Sequence, residues 1–209
     1  MMRYILPLIA ALFLLLPGAQ AQQDNELFQG LLKEGDLEFR DPGQDFERLP
    51  VEPDFVMPYE ARYRSRDGEL EIRFAIRPLG RIEIDYEDPH NAAPAPNDLF
   101  NMLFRALSET LARDHEVLSR EYDADKARQE YRAGWAAVGV FDLAEGVSED
   151  YDQAMLIAIH QNDKADAYLL FLTRDLGAQK PRIRKLRDSL RFRRFENPIN
   201  EPDLQEGVQ

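Results

Sequence analysis

Three long apolar runs constrain the fold of this chain more than any other feature of the sequence. They span residues 135–143, 154–159 and 167–172, and short polar connections around Glu145-Gly146 and Asn162-Asp163 separate them. Strands that are apolar on both sides are typical of a sheet sandwiched between two layers. The connections are too short for helical crossovers, so neighbouring strands must run antiparallel. The sequence therefore predicts a central antiparallel sheet that is covered on both faces.

A second strand pattern lies upstream. Residues 62–66 lead into Asp67-Gly68, a preferred two-residue hairpin turn. Beyond the turn, apolar residues alternate with charged ones: Leu70, Ile72, Phe74 and Ile76 against Glu69, Glu71, Arg73 and Arg77. This period-two pattern predicts one face on the core and the other in solvent. The alternation resumes at Ile82, Ile84 and Tyr86, which predicts a third strand.

Helical spacing of apolar residues predicts three helices in the main domain. The first covers residues 97–113 with Asn97 as its N-cap, the second covers 124–133 between Asp123 and Gly134, and the last runs from Pro181 to Arg191. A short strand is predicted over 116–122. The resulting order of elements indicates the α+β class, a mostly antiparallel sheet with helices packed on both faces.

The two ends of the chain differ from this domain. Arg3, an apolar stretch over 5–16 and the small residues around Ala21 predict a signal peptide, 1–21, that is cleaved on export to the periplasm or beyond. The apolar stretch is too short to span a bilayer, and no other segment approaches transmembrane length, so no integral membrane segment is expected after cleavage. Residues 22–58 are acidic and contain several prolines, which predicts an extended lead-in with one possible short helix. A single domain is expected over 59–195, followed by a disordered acidic tail, 196–209.

Composition excludes several classes of function. The chain contains no cysteine, which excludes disulfides, thiolate metal sites and cysteine nucleophiles. Its formal net charge of −13 argues against a nucleic-acid partner, because binding to phosphates requires positive surface.

The strand runs and the end of the domain resemble known proteins. Residues 134–141, 155–160 and 166–172 resemble the strands of a group of uncharacterised exported bacterial proteins, and the sequence Leu-Arg-Asp-Ser-Leu-Arg-Phe over 186–192 is similar to the end of PsbP-like domains. The resemblance covers residues 59–195. It implies a PsbP-like α/β/α sandwich and a role as an accessory or binding protein rather than an enzyme. It implies no site residue and no cofactor.

Motifs of known catalytic sites are missing from the sequence. The three histidines, His90, His115 and His160, lie outside any HExxH pattern, no serine lies in a Gly-x-Ser-x-Gly elbow, and no glycine-rich phosphate loop occurs. His160 ends a predicted buried strand, which favours a hydrogen-bonding role at the edge of the sheet. We therefore predict no catalytic residue.

Two charged segments are candidates for binding. The connection between the first two apolar runs contains five acids and no base: Asp142, Glu145, Glu149, Asp150 and Asp152. Closely spaced carboxylates can ligate Ca²⁺, although the order of an EF-hand is absent and such a loop is usually a solvated surface. This loop is the basis of the alternative function, a metal-assisted hydrolase.

The second charged segment is basic and lies over residues 180–194, where eight bases accompany one acid, Asp188. Two interpretations remain open for it. In the first, acids of the same chain neutralise the bases; in the second, the bases dock an anionic partner, either a protein or an anionic envelope component such as lipid head groups. The candidate binding residues are Arg182, Arg184, Lys185, Arg187, Arg191, Arg193 and Arg194.

These observations favour an exported, non-catalytic binding or assembly module of the cell envelope with an unknown partner. A third class, a carrier of small apolar ligands, requires an unfilled cavity in the core. The Phe and Leu positions suffice to fill the core, so the sequence does not favour a carrier.

Overall fold

A computed structural model describes residues 17–82 and 94–194, with side chains from Gln22 onward. Residues 1–16 of the predicted signal peptide, the predicted tail and the expected strand around Ile84 and Tyr86 lie outside these ranges. No helix within the described ranges is long and apolar enough to span a bilayer.

The described residues form an antiparallel sheet, a two-stranded ribbon and four α-helices. The strands are β1 (Leu37–Phe39), β2 (Phe46–Leu49), β3 (Ala61–Ser65), β4 (Leu70–Pro78), β5 (Leu118–Glu121), β6 (Trp135–Asp142), β7 (Gln153–Gln161), β8 (Ala165–Thr173) and β9 (Leu190–Phe192). The helices are α1 (Pro17–Glu34), α2 (Phe100–Leu111), α3 (Ala124–Tyr131) and α4 (Leu176–Leu186).

Seven strands form the sheet in the order β2-β3-β4-β8-β7-β6-β5, and all neighbours are antiparallel. β1 and β9 form the separate ribbon. Helices α1, α3 and α4 contribute to the hydrophobic core on one face, and α2 contributes to the core on the other. The predicted α+β class, with helices on both faces of a mostly antiparallel sheet, is confirmed.

The structure corrects the interpretation of residues 22–58 as an extended lead-in. This segment contains α1, β1 and β2, and it contributes fully buried side chains such as Phe28 and Leu37 to the core. Phe28, Leu31 and Leu32 share one face of α1 because they are spaced three and four residues apart, and that face packs on the sheet. The acids that suggested a linker occupy mostly exposed positions, both in these elements and in the segments that connect them.

The expectation that one face of β4 meets solvent is also wrong. Glu71 and Arg73, on the face expected to be exposed, are 0% and 3% exposed. Residues 51–59 cross this face, and the guanidinium of Arg73 lies 3.9 Å from the ring centre of Phe55 and 4.9 Å from that of Tyr59. The charged residues are buried because residues 51–59 cover them and because they are paired with each other.

The last helix is displaced from its predicted position. It begins at Leu176, where the side chain of Asp175 accepts a hydrogen bond from the backbone N–H of Ala178 at 3.0 Å. Pro181 therefore lies inside the helix instead of starting it. Leu190, expected on the helix face, lies in β9 and pairs with Phe39 of β1.

The start of α2 also differs. The helix begins at Phe100 after a 3₁₀ turn over Pro96–Asp98. Asn97 does not cap it, because its side chain exchanges two hydrogen bonds with Asp163 in the β7–β8 turn, at 2.8 and 2.9 Å. The predicted strand over 116–122 and the helix after Asp123 are confirmed as β5 and α3.

Candidate functional site

The basic segment lies on α4 and β9, beside β1 and α3, and three of its arginines are paired within the chain. The Nη1 of Arg182 lies 2.9 Å from Asp67 Oδ2, and the Nη2 of Arg187 lies 3.0 Å from Glu130 Oε1. The Nε of Arg191 lies 3.2 Å from Glu38 Oε2. The first of the two open interpretations, neutralisation by the same chain, therefore applies to these three residues.

Glu38, the partner of Arg191, is shared between two arginines. Glu38 also forms an ion pair with Arg132, whose Nη1 lies 3.0 Å from Glu38 Oε2. Burial raises the pKa of Glu38, but the hydrogen bonds and charges of Arg132 and Arg191 outweigh burial and hold the pKa below its ordinary value. The carboxylate is therefore ionised near neutral pH and neutralises part of the surrounding positive charge.

Five other bases of the segment are exposed and form no ion pair within residues 17–82 and 94–194. We call these residues the unpaired basic group: Lys180, Arg184, Lys185, Arg193 and Arg194. Arg193 donates to the carbonyl of Leu37 at 3.3 Å, which leaves its charge without a carboxylate. Asp188, the only acid of the segment, is bound by Arg40, which also donates to the carbonyl of Lys185 at 3.0 Å.

The acidic loop between β6 and β7 does not form a cluster of ligands. Asp150 lies 3.0 Å from Arg64 and 4.0 Å from Arg174, and Asp142 lies 4.0 Å from Arg113. The other members, Glu145, Glu149 and Asp152, are exposed. In the described part of the chain, which includes the whole loop, no three His, Asp or Glu side chains converge as a metal site would require.

The histidines are in different environments. His90 lies outside the described residues. His115 is exposed, with its Nδ1 2.9 Å from the carbonyl oxygen of Glu109. His160 is 2% exposed, and it contacts Asp166 Oδ1 through Nδ1 at 2.7 Å and Asn162 Oδ1 through Nε2 at 2.8 Å.

His160 belongs to a row of residues that the strand register places side by side. Arg77 on β4 is opposite Asp166 on β8, Asp166 is opposite His160 on β7, and His160 is opposite Trp135 on β6. We call these four residues the polar row. Phe100 of α2 covers it, with its ring stacked on His160 at 4.2 Å between centres. Both nitrogens of His160 are occupied, so the imidazole links strands and is not aimed at a nucleophile.

Charges within and beside the polar row are only partly matched. Arg77 donates to Glu60 Oε1 at 2.8 Å, and Glu60 Oε2 accepts the backbone N–H of Ile76 at 2.9 Å. Asp166 Oδ2 is buried and has no hydrogen-bond partner among the described residues. The pKa of the neighbouring Tyr168 is raised, mainly by burial and to a smaller extent by the charge of Asp166. The charge of Arg77 lowers this pKa, but by less.

Sequence reasoning found His160 but missed the rest of the row. Residues 77, 135, 160 and 166 are separated along the chain, and only the register of four strands brings them together. The one available signal is that Asp166 directly precedes an apolar strand run, six residues after His160 and across a tight turn.

Comparison with known proteins adds little beyond the fold. No protein-family model and no curated protein sequence matches the chain. The solution structure of cyanobacterial PsbP (CyanoP) from Synechocystis sp. PCC 6803 is similar to this chain, with a TM-score of 0.43 and 11% sequence identity. The similarity covers 76% of this chain and 88% of that one. This match agrees with the PsbP-like resemblance seen in the sequence, and no residue role is transferred from it.

Proposed function

We propose that this protein is an exported, non-catalytic binding or assembly module of the cell envelope, which docks an anionic partner on the unpaired basic group. One observation carries the proposal: five exposed bases lie on α4 and directly after β9 of an acidic protein, without an ion pair in the described part of the chain. A chain with a net charge of −13 has many carboxylates available, yet these bases face solvent.

The helix dipole accounts for only part of this arrangement. Cations near a helix C-terminus are favourable, and this explains Arg184 and Lys185 in the last turn of α4. It does not explain Arg193 and Arg194, which follow β9. Guanidinium groups bind carboxylates and phosphates in a bidentate manner, so the arginines of the unpaired basic group match a partner that presents such groups.

The test is capture of partners by in-cell crosslinking, with the tagged wild-type protein beside two charge-reversed variants. The first carries Glu at Lys180, Arg184, Lys185 and Arg194, none of which contributes an ion pair to the described fold. The matched control carries Glu at Lys33, Arg105, Arg120 and Lys126, four exposed bases elsewhere, so that both variants have the same net charge. Circular dichroism and thermal unfolding check that both variants are folded.

We expect a discrete partner to be captured by the wild type and by the control, and to be lost in the first variant. Equal capture by the first variant and the wild type would show that the unpaired basic group is not the docking site. Loss in both variants would show that net charge, and not the unpaired basic group, governs the interaction, and would also contradict the proposal.

A further inference from the structure

The edge strand β5 is open on its outer side. It ends the sheet beside β6, and all four of its residues are exposed, Leu118 by 83%. In the other edge strand, β2, only one of the four residues is exposed. The backbone N–H of Tyr122 donates to a carbonyl of β6 at 2.9 Å, so by antiparallel alternation the backbone groups of Leu118 and Arg120 also face β6. The backbone groups of Val117 and Ser119 therefore point away from the sheet, and no described strand pairs with them.

Charges flank the exposed Leu118 symmetrically. Glu116 lies two residues before it and Arg120 two residues after it, so all three side chains lie on one face of the strand. Glu116 is extended, with φ of −84° and ψ of 114°, whereas His115 has a φ of 60°, so the extended stretch begins at Glu116. Both charged side chains are exposed and form no ion pair with a described residue. The strand thus presents an acid, a leucine and a base to solvent in a row.

This row is complementary to itself when two copies run antiparallel. If Leu118 lies opposite the partner's Leu118, then Glu116 lies opposite the partner's Arg120, and Arg120 lies opposite the partner's Glu116. These three residues fall at the positions without hydrogen bonds, where facing side chains are closest. The same register places Val117 opposite the partner's Ser119, where the free N–H and C=O groups of both strands meet. The pairing therefore combines two ion pairs and one leucine contact with backbone hydrogen bonds.

Other registers match the charges less well. With Arg120 at the centre, two arginines lie opposite each other, and like charges in facing positions are destabilising. With Ser119 at the centre, Leu118 lies opposite the partner's Arg120, so this base has no acid. Glu116 then lies opposite the partner's Tyr122, so this acid has no base. Charged edges also resist pairing with unrelated strands, so the charge pattern favours a second copy of this chain in one register.

An apolar row continues from Leu118 into the sheet. Val140 of β6 is opposite Leu118, and Met155 of β7 is opposite Val140. Both are half-buried, and Leu176 at the start of α4 lines the same depression as Leu118 and Val140. Pairing of two β5 strands extends this row into the second copy and removes the side chain of Leu118 from water, which favours association.

We propose that this protein forms a symmetric homodimer by antiparallel pairing of β5 with β5 of a second copy, centred on Leu118. The two seven-stranded sheets join into one continuous sheet, and the two-fold axis closes this contact at two copies. The unpaired basic group lies on α4 and after β9, so it is not part of the pairing, and the dimer does not depend on the proposed docking function.

The test is analytical ultracentrifugation of the purified protein at several concentrations. We expect a monomer–dimer equilibrium with a dissociation constant in the micromolar range, because a short edge gives a small interface. Leu118→Lys should be a monomer, because it places two like charges at the centre of the pairing. Val56→Lys is the matched control: it also replaces an exposed apolar residue, but in the segment that crosses β4, and should leave the equilibrium unchanged. Circular dichroism and thermal unfolding check that the variants are folded.

Two charge reversals test the register. Glu116→Arg and Arg120→Glu should each raise the dissociation constant about ten-fold or more, because each sets like charges against each other in both facing pairs. A 1:1 mixture of the two variants should restore the dimer, since each supplies the charge that the other lacks. The double variant with both reversals should dimerise as the wild type does, because its facing pairs are exchanged but still matched.

Three results would overturn the proposal. These are a wild type that is monomeric at about 0.5 mM, a Leu118→Lys variant that dimerises as the wild type does, or single charge reversals that dimerise as tightly as their mixture. Because the control variant for docking includes Arg120→Glu, Leu118→Lys is also carried through the crosslinking experiment. Its capture of the partner concerns docking alone, whereas ultracentrifugation concerns the dimer alone, so the two proposals fail separately.

Discussion

Replacement of Glu71 by glutamine removes the charge that holds two arginines on a covered face of the sheet. The carboxylate of Glu71 is fully buried and accepts Nε and Nη2 of Arg62 at 2.8 and 2.9 Å, and Nε of Arg73 at 2.7 Å. Glu52 binds both arginines from the segment that crosses this face. Two cations are thus balanced by two carboxylates, and glutamine at position 71 leaves them balanced by one.

The magnitude follows from the buried part of this cluster. Glu71 and Arg73 are 0% and 3% exposed, whereas Glu52 is 46% exposed and its contribution is screened by solvent. Removal of one partner from a buried ion pair costs about 3–5 kcal/mol because the other charge is left uncompensated. For a domain of this size, that loss corresponds to a decrease of roughly 6–20 °C in the melting temperature.

The assay is urea unfolding followed by the fluorescence of Trp135, the only tryptophan, and by far-UV circular dichroism. We expect Glu71→Gln to lower the midpoint and leave the slope m unchanged, since the fold is the same. Glu149→Gln is the matched control because its carboxylate is exposed and forms no ion pair with a described residue. It should change the free energy of unfolding by about 0.5 kcal/mol or less.

If Glu71→Gln lowers the free energy of unfolding by less than about 1 kcal/mol, this reasoning is refuted, because removal of one partner from a buried ion pair should cost more than that. A double variant provides a second test. Glu71→Leu together with Arg73→Met removes both charges of the most buried pair, and should recover most of the stability that Glu71→Gln loses. Additive losses in the double variant would show that the two residues are not coupled.

Three further predictions concern other parts of the fold. Phe28→Ala should reduce the free energy of unfolding by about 3–5 kcal/mol in urea, because this fully buried ring belongs to the core and not to a linker; a loss under about 1 kcal/mol would contradict that placement. Gly139→Ala should reduce the free energy of unfolding by about 1–3 kcal/mol in the same assay, because a Cβ at this position would lie 3.1 Å from Val117 and 3.4 Å from Phe104. An unchanged midpoint would show that these two side chains move aside at no cost. The lowered pKa of Glu38 means that its ion pairs stabilise the fold above pH 4.5 and stop doing so as pH falls through the folded-state pKa. The side chain of Glu38 is partly exposed, so solvent screens these pairs. Glu38→Gln should therefore lower the free energy of unfolding by up to about 1 kcal/mol at pH 7 and leave it unchanged near pH 2. Urea midpoints measured at both pH values check this.

Local patterns in the sequence predicted the centre of the fold. Continuous apolar runs predicted β6, β7 and β8, because a strand with no polar face must be covered on both sides. Short connections then required antiparallel pairing. The apolar stripe of α2 predicted that helix in the same way, although contacts of Asn97 with the β7–β8 turn moved its first residue.

The charged positions were harder to interpret, because their environment depends on segments outside the element that contains them. Alternation in β4 predicted which residues share a face, but only the path of residues 51–59 decided that Glu71 and Arg73 are buried. The basic segment was visible as a run of charge. Its division into paired and unpaired bases was not, because the acids at Glu38 and Asp67 lie more than a hundred residues upstream.

The sequence by itself determined the class of the fold, its central strands and the presence of a basic segment, because each depends on the periodicity or composition of neighbouring residues. The tertiary structure alone decided the polar row and the identity of the unpaired basic group. These depend on strand register and on which layers cover the sheet. Such long-range contacts are selected by the packing of the whole domain, and a local pattern does not encode them.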